Sequence, residues 1–132
     1  MASIRREVTI GTDPATAWDA LRDIGALHTR LCPGFVVNTV LEEGARVVTF
    51  GNGATARELM ISVDDAERRV AWSVVGGPMT HHNASAQILA DGDRTRFVWI
   101  ADFLPHEFAP TMAQLVEQGL AVIRKTLEKS PR

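Results

Sequence analysis

The sequence predicts an α+β fold in which a curved seven-stranded antiparallel sheet wraps around one long C-terminal helix, with two short helices after the first strand. Three observations carry this. From about Glu107 to Lys129 the apolar residues Phe108, Met112, Leu115, Val116, Leu120, Ile123 and Leu127 recur at steps of three and four, the spacing of one helix face. About 23 residues at 1.5 Å each make a rod of roughly 35 Å, long enough to lie along a whole small domain. Most of the preceding chain alternates with period two, as strands do. The turns between those strands are short, so neighbours pair antiparallel.

Each element has its own signal. Ser3 to Ile10 alternates Ile4, Arg6, Val8 and Ile10 against Arg5, Glu7 and Thr9, a strand that Gly11 ends. Asp13 can cap a helix that starts at Pro14, whose φ is preset, and runs to about Arg22 with Trp18 and Leu21 inward. Gly25 allows a break before a second short helix around Ala26 to Leu31, and Pro33-Gly34 stops it. Strands follow at Phe35 to Leu41, Arg46 to Phe50, Thr55 to Val63, Arg69 to Val75, His81 to Leu89 and Thr95 to Phe103. Glu43-Gly44, Gly51-Asn52-Gly53, Asp64-Asp65, Gly76-Gly77-Pro78 and Asp91-Gly92-Asp93 supply the turns. Pro105 ends the last strand, and Ser130 to Arg132 is expected to fray.

Composition narrows the partners. At 132 residues and 45% hydrophobic, residues 1–132 fit one domain with its own core. Net charge is −2 with both signs interspersed, and no segment gathers Lys and Arg on one face, so nucleic acid is not an expected partner. Apolar runs are short and no signal segment follows the charged N-terminus, which predicts a cytoplasmic protein without membrane insertion, monomeric or homodimeric. The one cysteine, Cys32, has no internal disulfide partner and reads as a small buried hydrophobe. His81 and His82 are adjacent in a strand and point to opposite faces, and His28 with Cys32 is an isolated pair, so no metal site and no cofactor is predicted.

The order of one strand, two helices, six strands and one long helix resembles the helix-grip fold of the START and polyketide cyclase/dehydrase superfamily (SRPBCC), which includes the birch pollen allergen type and the plant abscisic acid receptors. The most specific stretch is Arg57-Glu58-Leu59-Met60, Asp64-Asp65, Arg68-Arg69-Val70, Trp72 and Gly76-Gly77-Pro78, continuing to Phe97-Val98-Trp99 and Phe103. The resemblance covers nearly the whole chain and implies an internal cavity between sheet and helix. It also turns Glu58 inward, whereas hydropathy alone would turn in the opposite face of that strand, Leu59, Ile61 and Val63. At the mouth the chain departs from the receptors. Gly51-Asn52-Gly53 stands where they carry a longer gate loop, and His28 or Arg30 lies near the place of their ligand-binding Lys, so hormone reception is not implied.

Two ionisable residues are the candidates for chemistry. A carboxylate in an apolar pocket has a raised pKa and can act as acid, base or acceptor, which makes Glu58 one; the alternative is a solvated strand Glu paired with Arg57 or Arg69. His82 shares a face with Ala84, Ala86 and Ile88, which aims it at the cavity near its mouth. Asp102 has the parity opposite to Trp99 and faces out. Candidate ligand contacts are Met60, Trp72, Val74, Phe97, Trp99, Phe103, Phe108, Met112 and Leu115, with Ala84 and Ala86 leaving space. Gly119, inside a helix where Gly costs about 1 kcal/mol relative to Ala, marks a close approach of a strand or a ligand.

Three functions compete. The first is binding, with transport as an extension, of a small hydrophobic molecule of aromatic or polyketide-like type. The second is a polyketide cyclase/dehydratase-type enzyme in which the cavity folds the substrate and Glu58 or His82 moves a proton. The third is a non-enzymatic dimer or interaction module using Leu59, Ile61 and Val63 as its outer face. No Ser-His-Asp order, phosphate loop or Cys-x-x-Cys pair supports another chemistry.

Overall fold

The computed structural model describes residues 2–129; the tail expected to fray at Ser130 to Arg132 lies outside them. β1 (Ala2–Ile10) leads to α1 (Pro14–Leu21) and a single wide turn (Leu27–Leu31). β2 (Val36–Glu42), β3 (Ala45–Phe50), β4 (Thr55–Asp64), β5 (Arg69–Val75), β6 (His81–Asp91) and β7 (Arg94–Leu104) follow, and the chain closes with α2 (Ala109–Glu128). The strands form one antiparallel sheet in the order β1-β7-β6-β5-β4-β3-β2, so β1 and β2 are its two edges. The helix-grip architecture is present.

The local chemistry is what sets these boundaries. Asp13 accepts from the Thr16 backbone N–H at 3.1 Å, capping α1 ahead of Pro14. Its far end is held by Asp65 in the β4–β5 turn, which accepts from Trp18 Nε1 and Arg22 Nε, each at 2.9 Å. The second short helix is wider than an α-helix: the Cys32 N–H donates to the Leu27 carbonyl five residues back at 2.8 Å. The long helix begins later than its apolar pattern predicts. His106–Phe108 forms a 3₁₀ turn, and α2 starts at Ala109 with Pro110 in its first turn, where a missing N–H costs nothing. At its other end Glu128 accepts from the Gly11 backbone N–H at 2.8 Å, tying α2 to the end of β1.

α2 buries Met112, Val116, Gly119, Leu120, Ile123 and Leu127 against the concave face of the sheet. The convex face keeps apolar residues in solvent, Ile61 at 64% and Val40 at 50% exposure among them. Ile61 is the residue left over where the β4–β5 register shifts between Met60 and Ser62. That bulge breaks the simple alternation assumed for β4: Ile61 lies in solvent, against the hydropathy-based expectation, while beyond the bulge Val63 pairs with the fully buried Val70 and is itself 39% exposed.

Candidate functional site: a cavity with a buried ion pair

A cavity of about 480 Å³ lies between the concave sheet face and α2. Alternation builds its wall: Arg46, Val48 and Phe50 from β3, Ala56 and Glu58 from β4, Trp72 and Val74 from β5, His82, Ala84 and Ala86 from β6, and Phe97 and Trp99 from β7. Met112, Leu115 and Val116 of α2 cover it, and Leu27, Leu31 and Cys32 contribute from the wide turn. Gly51, Asn52, Ala54 and residues 76–79 of the loops also line it, as does Leu115, which is 37% exposed, and these mark the mouth.

At the cavity wall two charges meet. Arg46 and Glu58 are direct partners across β3 and β4. Arg46 Nε donates to Glu58 Oε1 at 2.8 Å, and the side chains are only 3% and 8% exposed. Arg46 Nη1 also donates to the Ile24 carbonyl at 3.2 Å, and the guanidinium carbon lies 5.3 Å from the centroid of the Trp72 ring. Burial pushes the Glu58 carboxyl up from its usual range, while the charge and hydrogen bond of Arg46 pull it back. Taking two charges out of water is expensive, and only close pairing with further hydrogen bonds offsets it.

The other titratable groups on the wall are neutral. Burial lowers the His82 pKa and the neighbouring His81 lowers it further, so its imidazole is uncharged at neutral pH. Its ring stands edge-on to Phe103, with centroids 6.3 Å apart. Burial pushes the Cys32 thiol up to about 12, with Arg46 pulling down and Glu58 pushing up, so it is a thiol and not a nucleophile. No group of three or more His, Cys, Asp or Glu among the described residues could hold a metal.

The structure therefore brings Glu58, His82, Trp72, Val74, Ala84, Ala86, Phe97, Trp99, Met112 and Leu115 to one cavity. Four other candidates do not line it. Met60, paired with Trp72 just ahead of the bulge, packs half-buried against the core, Phe103 lies fully buried behind His82, and Phe108 sits in the 3₁₀ turn that precedes α2. Gly119 is covered by aromatic rings: a Cβ there would sit 2.8 Å from Trp99 Cζ3 and 3.2 Å from Phe35 Cε2, so the close approach is that of one strand side chain, Trp99, and one from the turn before β2, Phe35. Glu58 is paired with neither Arg57 nor Arg69; Arg57 faces out and binds Glu42 at 3.1 Å. His28 and Arg30 are likewise off the wall, His28 against Thr39 and Arg30 on Asp19 and Asp23.

Arg46 is the residue that sequence reasoning missed, and its signal was present. Arg46 shares a strand face with Val48 and Phe50, the more apolar face, and a hairpin through Gly51-Asn52-Gly53 sets it opposite Glu58.

This geometry defines a helix-grip protein, in which a sheet grips a C-terminal helix over a cavity. The chain belongs to the family described as polyketide cyclase/dehydrase and lipid transport, whose profile matches residues 1–129. Among solved structures, the protein XoxI from Bacillus cereus is 19% identical with a TM-score of 0.84, covering 98% of this chain and 97% of its own. A START superfamily protein from Mycobacterium smegmatis is 15% identical with a TM-score of 0.71, covering 96% and 94%. The di-domain aromatase/cyclase BexL of the BE-7585A biosynthetic pathway is 10% identical with a TM-score of 0.83, covering 97% of this chain and 47% of its own. These likenesses establish the fold. No curated protein matches the chain.

Proposed function

We propose that this protein binds a small hydrophobic molecule, aromatic or polyketide-like, in the cavity between sheet and α2. The observation that carries the reading is the cavity itself: about 480 Å³ falls within the roughly 300–1,000 Å³ range of small-molecule sites, with mostly apolar walls and few polar groups. Trp72 and Trp99, with ring centroids 6.4 Å apart, offer flat surfaces to a planar ligand. Carriage between two compartments or partners needs nothing beyond this binding. Native mass spectrometry of freshly purified protein, before and after denaturation, tests it. An added mass lost on denaturation is the expected result; a bare mass that stays bare after soaking with planar aromatic compounds refutes the reading.

A cyclase/dehydratase-type activity is the second reading, and one observation favours it. His82 is a neutral imidazole on the wall of an apolar cavity, the state a general base requires. Glu58 is the poorer proton carrier because Arg46 holds one of its oxygens. If the reading holds, His82→Gln removes turnover of a poly-β-ketone substrate while ligand affinity stays within a few-fold. Unchanged turnover in that variant rules His82 out.

A further inference from the structure

The Arg46–Glu58 pair is incompletely satisfied. Arg46 presents five N–H donors, of which Nε is taken by Glu58 Oε1 and one on Nη1 by the Ile24 carbonyl. Glu58 Oε2 and Arg46 Nη2 make no hydrogen bond among the described residues. Neither atom is sealed from space without a partner, since the only such buried side-chain atom among these residues is Thr12 Oγ1. Both side chains are more than nine-tenths buried, and both line the cavity. One carboxylate oxygen and three guanidinium N–H groups, two of them on Nη2, thus remain unmatched on a mostly apolar wall.

We infer that the Arg46–Glu58 pair is a hydroxyl-recognition subsite, and that the ligand is a neutral planar molecule carrying a phenolic or enolic O–H. The inference rests on the cavity-binding reading above and narrows it to a ligand class. A hydroxyl is the smallest group that donates to Glu58 Oε2 and accepts from Arg46 Nη2 through a single atom. A ketone or ether accepts only, and on displacing water from the pair it leaves the Glu58 oxygen without a donor, an unmade hydrogen bond that is costly. A carboxylate meets Glu58 as a like charge, and an ammonium meets Arg46 as one, so neither ion suits a pair whose own net charge is zero. The guanidinium is anchored by Glu58 and Ile24 and lies against Trp72, so a hydroxyl bound there sets its ring beside that indole.

Isothermal titration calorimetry with four matched probes tests this: 2-naphthol, 2-methoxynaphthalene, naphthalene and 2-naphthoate at pH 7. The expected result is that 2-naphthol binds at least about tenfold more tightly than the ether, the hydrocarbon or the acid, the scale of a hydrogen bond to a charged group. In the double variant Arg46→Met/Glu58→Leu, which leaves no unpaired buried charge, that preference falls to within about twofold while naphthalene still binds. Equal binding of 2-naphthol and its ether by the unaltered protein overturns the inference and leaves the cavity reading standing. Tighter binding of 2-naphthoate overturns it in favour of an anion site, and a hydroxyl preference that survives in the double variant moves recognition elsewhere. Failure of all four probes to bind overturns the inference and the cavity reading together.

Discussion

Arg46 and Glu58 hold each other in place, and the cost of separating them is unequal. Arg46→Ala leaves a buried carboxylate without its partner, and we expect a loss of about 3–5 kcal/mol in urea unfolding at pH 7. Burial alone then acts on Glu58 and raises its pKa in the folded state. A raised carboxyl binds its proton in the native state at pH values where the unfolded chain has lost it, so stability declines as pH rises through that window. The Arg46→Ala deficit should therefore shrink on acidification from pH 7.5 to 5; a deficit that stays constant would mean the carboxylate is not the group left stranded. His82 has the opposite sign. Its folded pKa is depressed, so the native state loses stability as pH falls below the usual histidine value of 6.5. His82→Leu should flatten the drop in melting temperature between pH 7.5 and 5.5, relative to the unaltered protein. Glu58 was legible in the sequence because its strand matched a known pattern. Its partner was not: Arg57 and Arg69 were the neighbours that sequence proximity offered, and Arg46, a charged residue at a strand start, reads by default as solvated.

The elements show the same division between what pattern reveals and what packing decides. Turns, strand order and the amphipathic stripe of α2 were readable because Gly, Asp and Pro punctuate the chain and one sheet face must be buried. The bulge at Ile61 and the wide turn at Leu27–Leu31 were not, since each replaces one hydrogen-bonding scheme by another that uses the same residue types. Gly119 illustrates a tertiary override in α2. Alanine would gain about 1 kcal/mol of helix propensity there, yet its methyl would meet the Trp99 ring at 2.8 Å. Overpacking of this kind costs about 1–3 kcal/mol, so Gly119→Ala should be net destabilising in urea unfolding, and by pushing Trp99 toward the cavity it should weaken ligand binding. In the loop between β5 and β6, Gly76 and Gly77 have φ of +79° and +78°, a conformation that costs other residues roughly 1–2 kcal/mol each. Gly77→Ala should accordingly disturb the cavity mouth more than the sheet, which ligand association rates compared with unfolding midpoints will resolve.

Across the whole molecule, stability should be graded along the sheet. β6 and β7 have a hydrogen-bonded neighbour on both sides and carry the fully buried Phe97 and Phe103, whereas residues 76–80 at the mouth have little backbone pairing. Amide hydrogen exchange is therefore expected to be slowest in the centres of β6 and β7 and fastest in the 76–80 loop; uniform protection would contradict this gradient. The apolar side chains on the convex face, such as Ile61 and Val40, take no part in that gradient, since they lie outside the core.

The placement of β1 has a consequence for biosynthesis. Ala2 pairs with Phe103 and Ile10 with Thr95, so the first strand made has its only sheet partner in the last. At about 5–20 residues per second, a ribosome needs roughly 5–20 s to travel from one to the other. Throughout that interval β1 emerges with its hydrogen-bonding edge unmatched, and the cavity has neither its closing strand nor its helical cover. Ligand capture thus waits until β7 and α2 have joined the sheet, and a chain stalled short of them stays open along one seam.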